Sequence, residues 1–297
     1  MELDQFLNLV LSGLTQGSIY ALLAMGYNVI FATTRVLNFA HGELFMVGGI
    51  LGAVTYSELN WPLLLAIGVA VLVGAALGVL EERIAVRPAT STGGGHHALG
   101  WVLSTLGFAI ILRSGAALWF GPEFHNFRTF ASSEPIVVSG VRLVPDQILL
   151  IVVAILVAVA LHLAYARSMT GRALSAVAQD QEAAAMRGIP VGLLSGVSFA
   201  IGSGLAALTG FVAGPLTGAF PTIGFNFALK GFVAAAIGGI PSIGGALFGG
   251  LFLGLIEAFG ADLIGGGYRN LVVFTVLITI LIVRPAGLFG QHSVRSV

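Results

Sequence analysis

Residues 147–166 read QILLIVVAILVAVALHLAYA. No Asp, Glu, Lys or Arg interrupts this run, and Gln147 and His162 are its clearly polar side chains. A helix rises 1.5 Å per residue, so the run makes a rod of about 30 Å, the thickness of a bilayer's hydrocarbon core. The rest of the 297-residue chain has the same character: 9% of it is charged and 57% is hydrophobic. An ordinary soluble domain is about 25% charged. With a mean hydropathy of +1.00, a soluble fold would leave apolar surface in water that its interior has no room for. A soluble enzyme, a nucleic-acid binder and a disordered chain are therefore excluded. The expected class is an all-α polytopic membrane protein, with 1–297 as one membrane-spanning domain and the lipid bilayer as its first partner.

Working outward, further apolar runs fall at 6–32, 36–56, 62–80, 98–120, 192–214, 228–259 and 268–283. These give about eight transmembrane helices. The first run follows Glu2 and Asp4 without a basic leader or a small-residue cleavage site, and it reads as a retained helix. Thirteen Lys+Arg balance thirteen Asp+Glu, so net charge identifies no partner, but the placement of the cations orients the chain. Arg83 and Arg87 lie in the 81–97 loop, and Arg167, Arg172 and Arg187 lie in the 167–191 loop. The positive-inside rule puts both loops in the cytoplasm. The 121–145 segment, with a short hairpin expected over 136–144, is then external, as is the N-terminus. The tail after Arg284, with Arg295, reads as cytoplasmic. Eight complete spans would return the tail to the outside, so one or two segments are expected to be broken or re-entrant. The candidates are 36–43 and 229–240.

Glycine supplies the next signal, with 42 residues. Pairs at i,i+4 recur as Gly13/Gly17, Gly48/Gly52, Gly74/Gly78, Gly210/Gly214, Gly245/Gly249 and Gly250/Gly254. Such pairs put a bare backbone on one helix face and let a neighbour approach closely. Another cluster, GGIPSIGG at 238–245, breaks a helix, because Pro241 has no N–H and clashes with the preceding turn. A new helix can begin after Ser242, its free N–H groups facing into the protein. The same logic applies near 38–43, where Asn38 is expected to cap a helix and Gly42 weakens it.

Polar groups at membrane depth are costly and so must face protein or a water-filled path. Asn38, His41 and Glu43 fall together, and with Gly239 and Ser242 they are the expected lining of a translocation path. Exposed helix N-termini are expected near Asn38 and Ser242. Arg113 is expected to snorkel, Lys230 to open its segment, Glu257 to cap packing or meet Arg269, and His162 to be buried and hydrogen-bonded. No metal-ligand spacing and no catalytic constellation occurs, and the absence of Cys removes thiolate chemistry.

Residues 169–190, MTGRALSAVAQDQEAAAMRGIP, are strongly helical by propensity. A helix is expected from Gly171 to a stop at Gly188 and Pro190. Glu182-Ala183-Ala184 followed by Gly188 resembles the EAA motif of bacterial ABC importer permeases. GLTQGSIYAL at 13–22, Gly26-Tyr27, LNFAHGE at 37–43, STLG at 104–107, the 238–246 cluster and RPAGLFG at 284–290 resemble the branched-chain amino acid ABC transporter permeases of the LivH type. The resemblance covers nearly the whole chain. It departs in an Ala-rich coupling helix and in the glycine-rich 93–95 stretch.

The resemblance implies a fold and a division of labour. This chain would pair with a second related permease in the bacterial inner membrane. A periplasmic substrate-binding protein would deliver solute, and two cytoplasmic ATPase subunits would use ATP. The 167–191 loop, with Arg172, Glu182, Ala183, Ala184 and Gly188, would couple to them. The residues agree with that division. The sole lysine, Lys230, sits in no phosphate-loop pattern, so the chain is expected to be a transport subunit without an ATPase site and without a bound cofactor. The expected solutes are branched-chain amino acids, with urea or short amides as the alternative. A self-sufficient secondary transporter or channel is the competing class.

Overall fold

The computed structural model describes residues 3–91, 97–130, 136–138 and 141–290. The 93–95 glycines and Arg295 lie outside the described residues. The chain runs α1 (Leu3–Thr34), α2 (His41–Gly52) continued by a π-helical turn (Ala53–Glu58), α3 (Leu63–Glu81) with a π-helical extension (Glu82–Val86), and α4 (Arg87–Ser91). Then come α5 (His97–Phe120), strands β1 (Ile136–Val138) and β2 (Val141–Leu143), and α6 (Pro145–Arg167). The order closes with α7 (Met169–Gln179), α8 (Gln181–Met186), α9 (Val191–Thr217), α10 (Ile223–Gly238), α11 (Ile243–Ile264) and α12 (Arg269–Val283). The strands form the expected antiparallel hairpin, Val138 opposite Val141.

Among the described residues, seven helices are long and apolar enough to cross a membrane, and α10 is a shorter apolar one. The all-α polytopic expectation therefore holds. The run read as 228–259 is two antiparallel helices, α10 and α11, joined at 239–242. Gly239 takes φ +92°, which an L side chain resists, and Ser242 caps α11 by accepting from the Gly245 N–H at 3.0 Å. The α1–α2 link, in contrast, is a turn between two antiparallel spans. Counting α10 and α2 with the seven long helices, the segments alternate in direction. Leu3 and Gly290 consequently lie at opposite ends of the bundle. One end holds the hairpin, whose Arg142 N–H donates to Asn8 Oδ1. The other holds α7 and α8.

The helices meet through the predicted glycine pairs. A Cβ on Gly17 would strike the Gly250 and Leu251 backbone, and one on Gly250 would strike Ala21. Thus α1 and α11 touch backbone to backbone along their length. Gly48 meets Ala207, Gly210 meets Phe45, and Gly74 and Gly78 meet Ser203, which seats α9 against both α2 and α3. Gly249 meets Ala234, closing α10 on α11. In lipid there is no hydrophobic gain from apposing two apolar helices, so this close van der Waals contact is what holds the bundle. The central face of α1, from Ile19 to Ile30, is accordingly buried.

We expect Gly250→Leu to lower stability by several kcal/mol, above the usual ~1–3 kcal/mol of overpacking, because the atoms in its way are backbone. Gly68→Leu, at a glycine whose added Cβ meets nothing within 4 Å, should stay within ~0.5 kcal/mol. Thermal unfolding of the detergent-solubilised chain reads both. Equal loss at the two sites would refute the packing assignment.

Candidate coupling and translocation site

The 167–191 loop is two helices, not the single helix its composition predicts. Asp180 leaves helical geometry (φ −153°, ψ 110°) and its Oδ1 accepts from the Ala183 N–H at 3.0 Å, so it ends α7 and caps α8. The Asp-x-x spacing before Ala183 was the available signal for this break. Ser168 caps α7 in the same manner, accepting from Gly171 at 2.8 Å. Gly171 packs directly on the Ala164 and Tyr165 backbone, and Gly188 ends α8 with φ +80°.

The EAA residues divide by face. Ala184 is 3% exposed and packs with Leu174, Val177 and Leu194, which fastens α8 to α7 and to the start of α9. Glu182, Ala185, Arg187 and Arg172 are exposed. Met186 is 83% exposed and Met169 is 77% exposed. A short amphipathic platform results: its inner side is glued to the bundle, and its outer side offers two methionines flanked by charge. Methionine is flexible and polarisable, and so adapts to irregular contacts.

Two side chains tie this platform to α1. Arg35 Nη2 donates to the Ala178 carbonyl at 2.6 Å, and Gln181 Nε2 donates to the Thr33 carbonyl. Beside them opens a cavity of about 960 Å³, lined by Asn28, Arg35, His162, Tyr165, Gln179 and Ser242 among others. Asn28 is 2% exposed, and its Nδ2 donates to the Ser242 carbonyl at 2.7 Å, bracing the α10–α11 turn against α1.

The expected path residues separate. Ser242 lines this cavity. Gly239 packs on Ala286 and Gly290 of the C-terminal turn. Asn38, His41 and Glu43 are buried elsewhere in the bundle. Asn38 Nδ2 donates to Glu81 Oε2 at 2.8 Å, and its Oδ1 accepts from the Ala40 N–H at 2.7 Å. Asn38 thereby shapes the turn into α2, whose N-cap position is taken by Ala40. The His41 ring lies 4.3 Å from that of Tyr27 and fills the space that Gly26 leaves. Glu43 pairs with Arg113.

Three expectations are corrected here. Arg113 does not snorkel; it neutralises Glu43 across α2 and α5. Lys230 does not merely open a segment: its Nζ lies 2.6 Å from Glu257 Oε1, while Tyr20 O–H donates to Glu257 Oε2 at 2.8 Å. Glu257 therefore serves α10 and α1. His162 is exposed on the cavity rim instead of buried. These partners lie 70, 27 and 237 residues apart, and no local spacing announces them.

A helical bundle with paired buried charges and an exposed, capped helix pair between late spans has the architecture of a membrane permease component. The sequence matches the family described as "Branched-chain amino acid transport system / permease component" over residues 9–282, and the chain belongs to that family. It is 35% identical to the high-affinity branched-chain amino acid transport system permease protein BraD of Pseudomonas aeruginosa, over 100% of this chain and 99% of that one. It is 32% identical to LivH of Escherichia coli, a permease protein of the same description, over 98% of each chain. The relatives are thus permease components of high-affinity branched-chain amino acid transport systems. The structure titled PsaBC from Streptococcus pneumoniae in complex with Fab has a similar fold, with TM-score 0.53 at 11% identity over 93% of this chain and 91% of that one.

The buried triad gives a direct test. Lys230→Met leaves Glu257 charged and half-partnered in the bundle and should cost ~3–5 kcal/mol, whereas Lys230→Met with Glu257→Leu should recover most of it. A thermal-unfolding cycle over the four proteins measures the coupling. A double variant as unstable as the sum of the single variants would show that the pair does not interact.

Proposed function

We propose that this chain is the solute-conducting subunit of an ATP-driven importer of branched-chain amino acids in a bacterial inner membrane. It acts with a second related permease, two cytoplasmic ATPase subunits and a periplasmic substrate-binding protein. The observation that carries the reading is the α7–α8 platform: packed inward through Ala184, exposed outward through Glu182 and Met186, and set between two spanning helices. The placement of arginine supports the orientation. Arg35, Arg83, Arg87, Arg167, Arg172, Arg187 and Arg284 gather at the platform end, and Arg128, Arg142 and Arg269 lie toward the other. The positive-inside rule places the platform in the cytoplasm. The 121–145 segment then faces outward, where a delivering protein would meet it.

In this reading ATP is bound and spent by the partners, and the platform passes their motion to the spans. The chain's own apolar interior suits an aliphatic side chain. The cavity at Ser242 is the inner mouth of the path, where the N–H groups opening α11 and the Arg35 guanidinium can meet a carboxylate. Asn38, His41 and Glu43 contribute by fixing the α1–α2 turn and the α2–α5 contact, and Gly239 by letting the C-terminal turn close on α10. Urea or a short amide would leave the carboxylate partners unused.

The experiment is purification of the assembled complex followed by reconstitution in liposomes with the binding protein inside or outside. ATP-dependent uptake of leucine, isoleucine or valine, absent when the ATPases are omitted, is the expected result. Uptake by the chain alone down an ion gradient would instead make it a secondary transporter. Within the complex, Met186→Glu should lower uptake about tenfold or more, the scale of an interface hot spot, with the chain's abundance in the membrane unchanged. Ala184→Arg should lower abundance as well, because it forces charge into the α7–α8–α9 seam.

A further inference from the structure

We propose that Arg35 and Gln181 form a reciprocal latch that makes α1 the element the coupling platform moves. The inference rests on the reading of α7–α8 as the platform for the ATPases and names the residues that transmit its motion.

The last four carbonyls of a helix have no partner within it. Thr33 lies in the last turn of α1 and Ala178 in the last turn of α7. Each of these carbonyls is bonded by a side chain from the other side of the junction. Gln181, the first residue of α8, donates to Thr33, and Arg35, just past the end of α1, donates to Ala178 at 2.6 Å. Two helix ends thus cap one another, and neither the platform nor α1 can shift along its axis without breaking a bond at the other.

Stability alone does not account for this arrangement. Arg35 and Gln181 are exposed, and the Arg35–Ala178 bond, at an exposed site, contributes little to folding, whereas the Gln181–Thr33 bond is part-buried. Arg35 also holds φ +56°, the left-handed region that a long side chain rarely adopts. The backbone strain is retained where it aims the guanidinium at α7. The platform is otherwise held by the non-directional apolar cluster of Leu174, Val177, Ala184 and Leu194 against α9 and by Gly171 packed on the α6 backbone. The latch supplies the directional link. It acts on the helix best placed to use it, since α1 touches α11 along its glycine face and carries Asn28, which holds the Ser242 turn at the cavity. Arg35 itself lines that cavity. A pull on Thr33 is therefore a pull on the wall of the inner mouth.

The test uses the reconstituted complex with its partner permease, ATPases and binding protein. ATP hydrolysed and amino acid imported are measured together for wild type, Arg35→Ala, Gln181→Ala and the double variant. Each single variant should raise the ATP spent per solute by about fivefold, the lower range of a typical coupling free energy. The double variant should exceed neither single variant by more than about twofold, as expected for one link cut twice. Arg35→Lys, which keeps a cationic donor, should fall between wild type and Arg35→Ala. An unchanged ratio in both single variants, or a parallel fall in hydrolysis and import, overturns the latch. Gln181→Ala, on an exposed helix start, serves if Arg35→Ala is not produced. Failure of the wild-type complex to hydrolyse ATP in response to loaded binding protein would instead overturn the importer reading on which the latch stands.

Discussion

Bare backbone against bare backbone is the contact on which this molecule depends. Between α1 and α11 the side chains that would separate two helices are missing at Gly13, Gly17, Gly250 and Gly254. In a bilayer an apolar side chain gains nothing by leaving lipid for protein. Cohesion must come from the density of contact, and density rises as the axes approach. The same device fixes α9 to α2 and α3. Once these pairs are seated, the remaining helices have little freedom in depth or rotation, and the buried charges are brought opposite one another.

Those charges show how a membrane bundle tolerates ionised groups. Glu43 and Glu257 each lie within an apolar helix, and each is met by a cation from a different helix, Arg113 or Lys230. A single unpartnered charge at this depth would oppose insertion. The pairs therefore specify which helices must be neighbours, α2 with α5 and α10 with α11, while adding little net cohesion of their own. Asn38 and Glu81 do similar work between the α1–α2 turn and α3.

Much of the architecture was legible in the chain because lipid imposes harsh local rules. A helix crossing hydrocarbon must be about 20 apolar residues long, a glycine pair must leave a flat face, and Pro241 followed by Ser242 must end one helix and begin another. The platform was legible as helical and as the resemblance's coupling segment. Its break at Asp180 was hidden by the high helix propensity on both sides, although the capping carboxylate stood in view. Pairings across helices were not legible. Arg113 near a helix end reads equally well as an anchor, and only the register of α2 against α5 brings Glu43 to it. His162 misled for a related reason. In a single apolar helix it looks enclosed, but the rotation of α6 turns it to the cavity rim.

The junction between α9 and α10 carries a further consequence. The chain turns back at Gly218–Thr222 beside Gly49, halfway along residues 41–58: a Cβ on Gly49 would stand 3.5 Å from that of Ala219. The segment before the hairpin dips in to meet it. His125 and Ala219 exchange backbone hydrogen bonds of 2.8 and 3.3 Å, Phe124 stacks on Phe220, and Phe127 lies on Phe211 over Gly214. At this place a gasket of aromatic rings and two hydrogen bonds joins the 124–127 segment to the α9–α10 turn, with no continuous helix across it. A helix yields only when a bond per residue is broken, whereas a gasket opens as a unit. The α9–α10 turn is thus held in place by a handful of side chains and two backbone bonds instead of by a helical ladder.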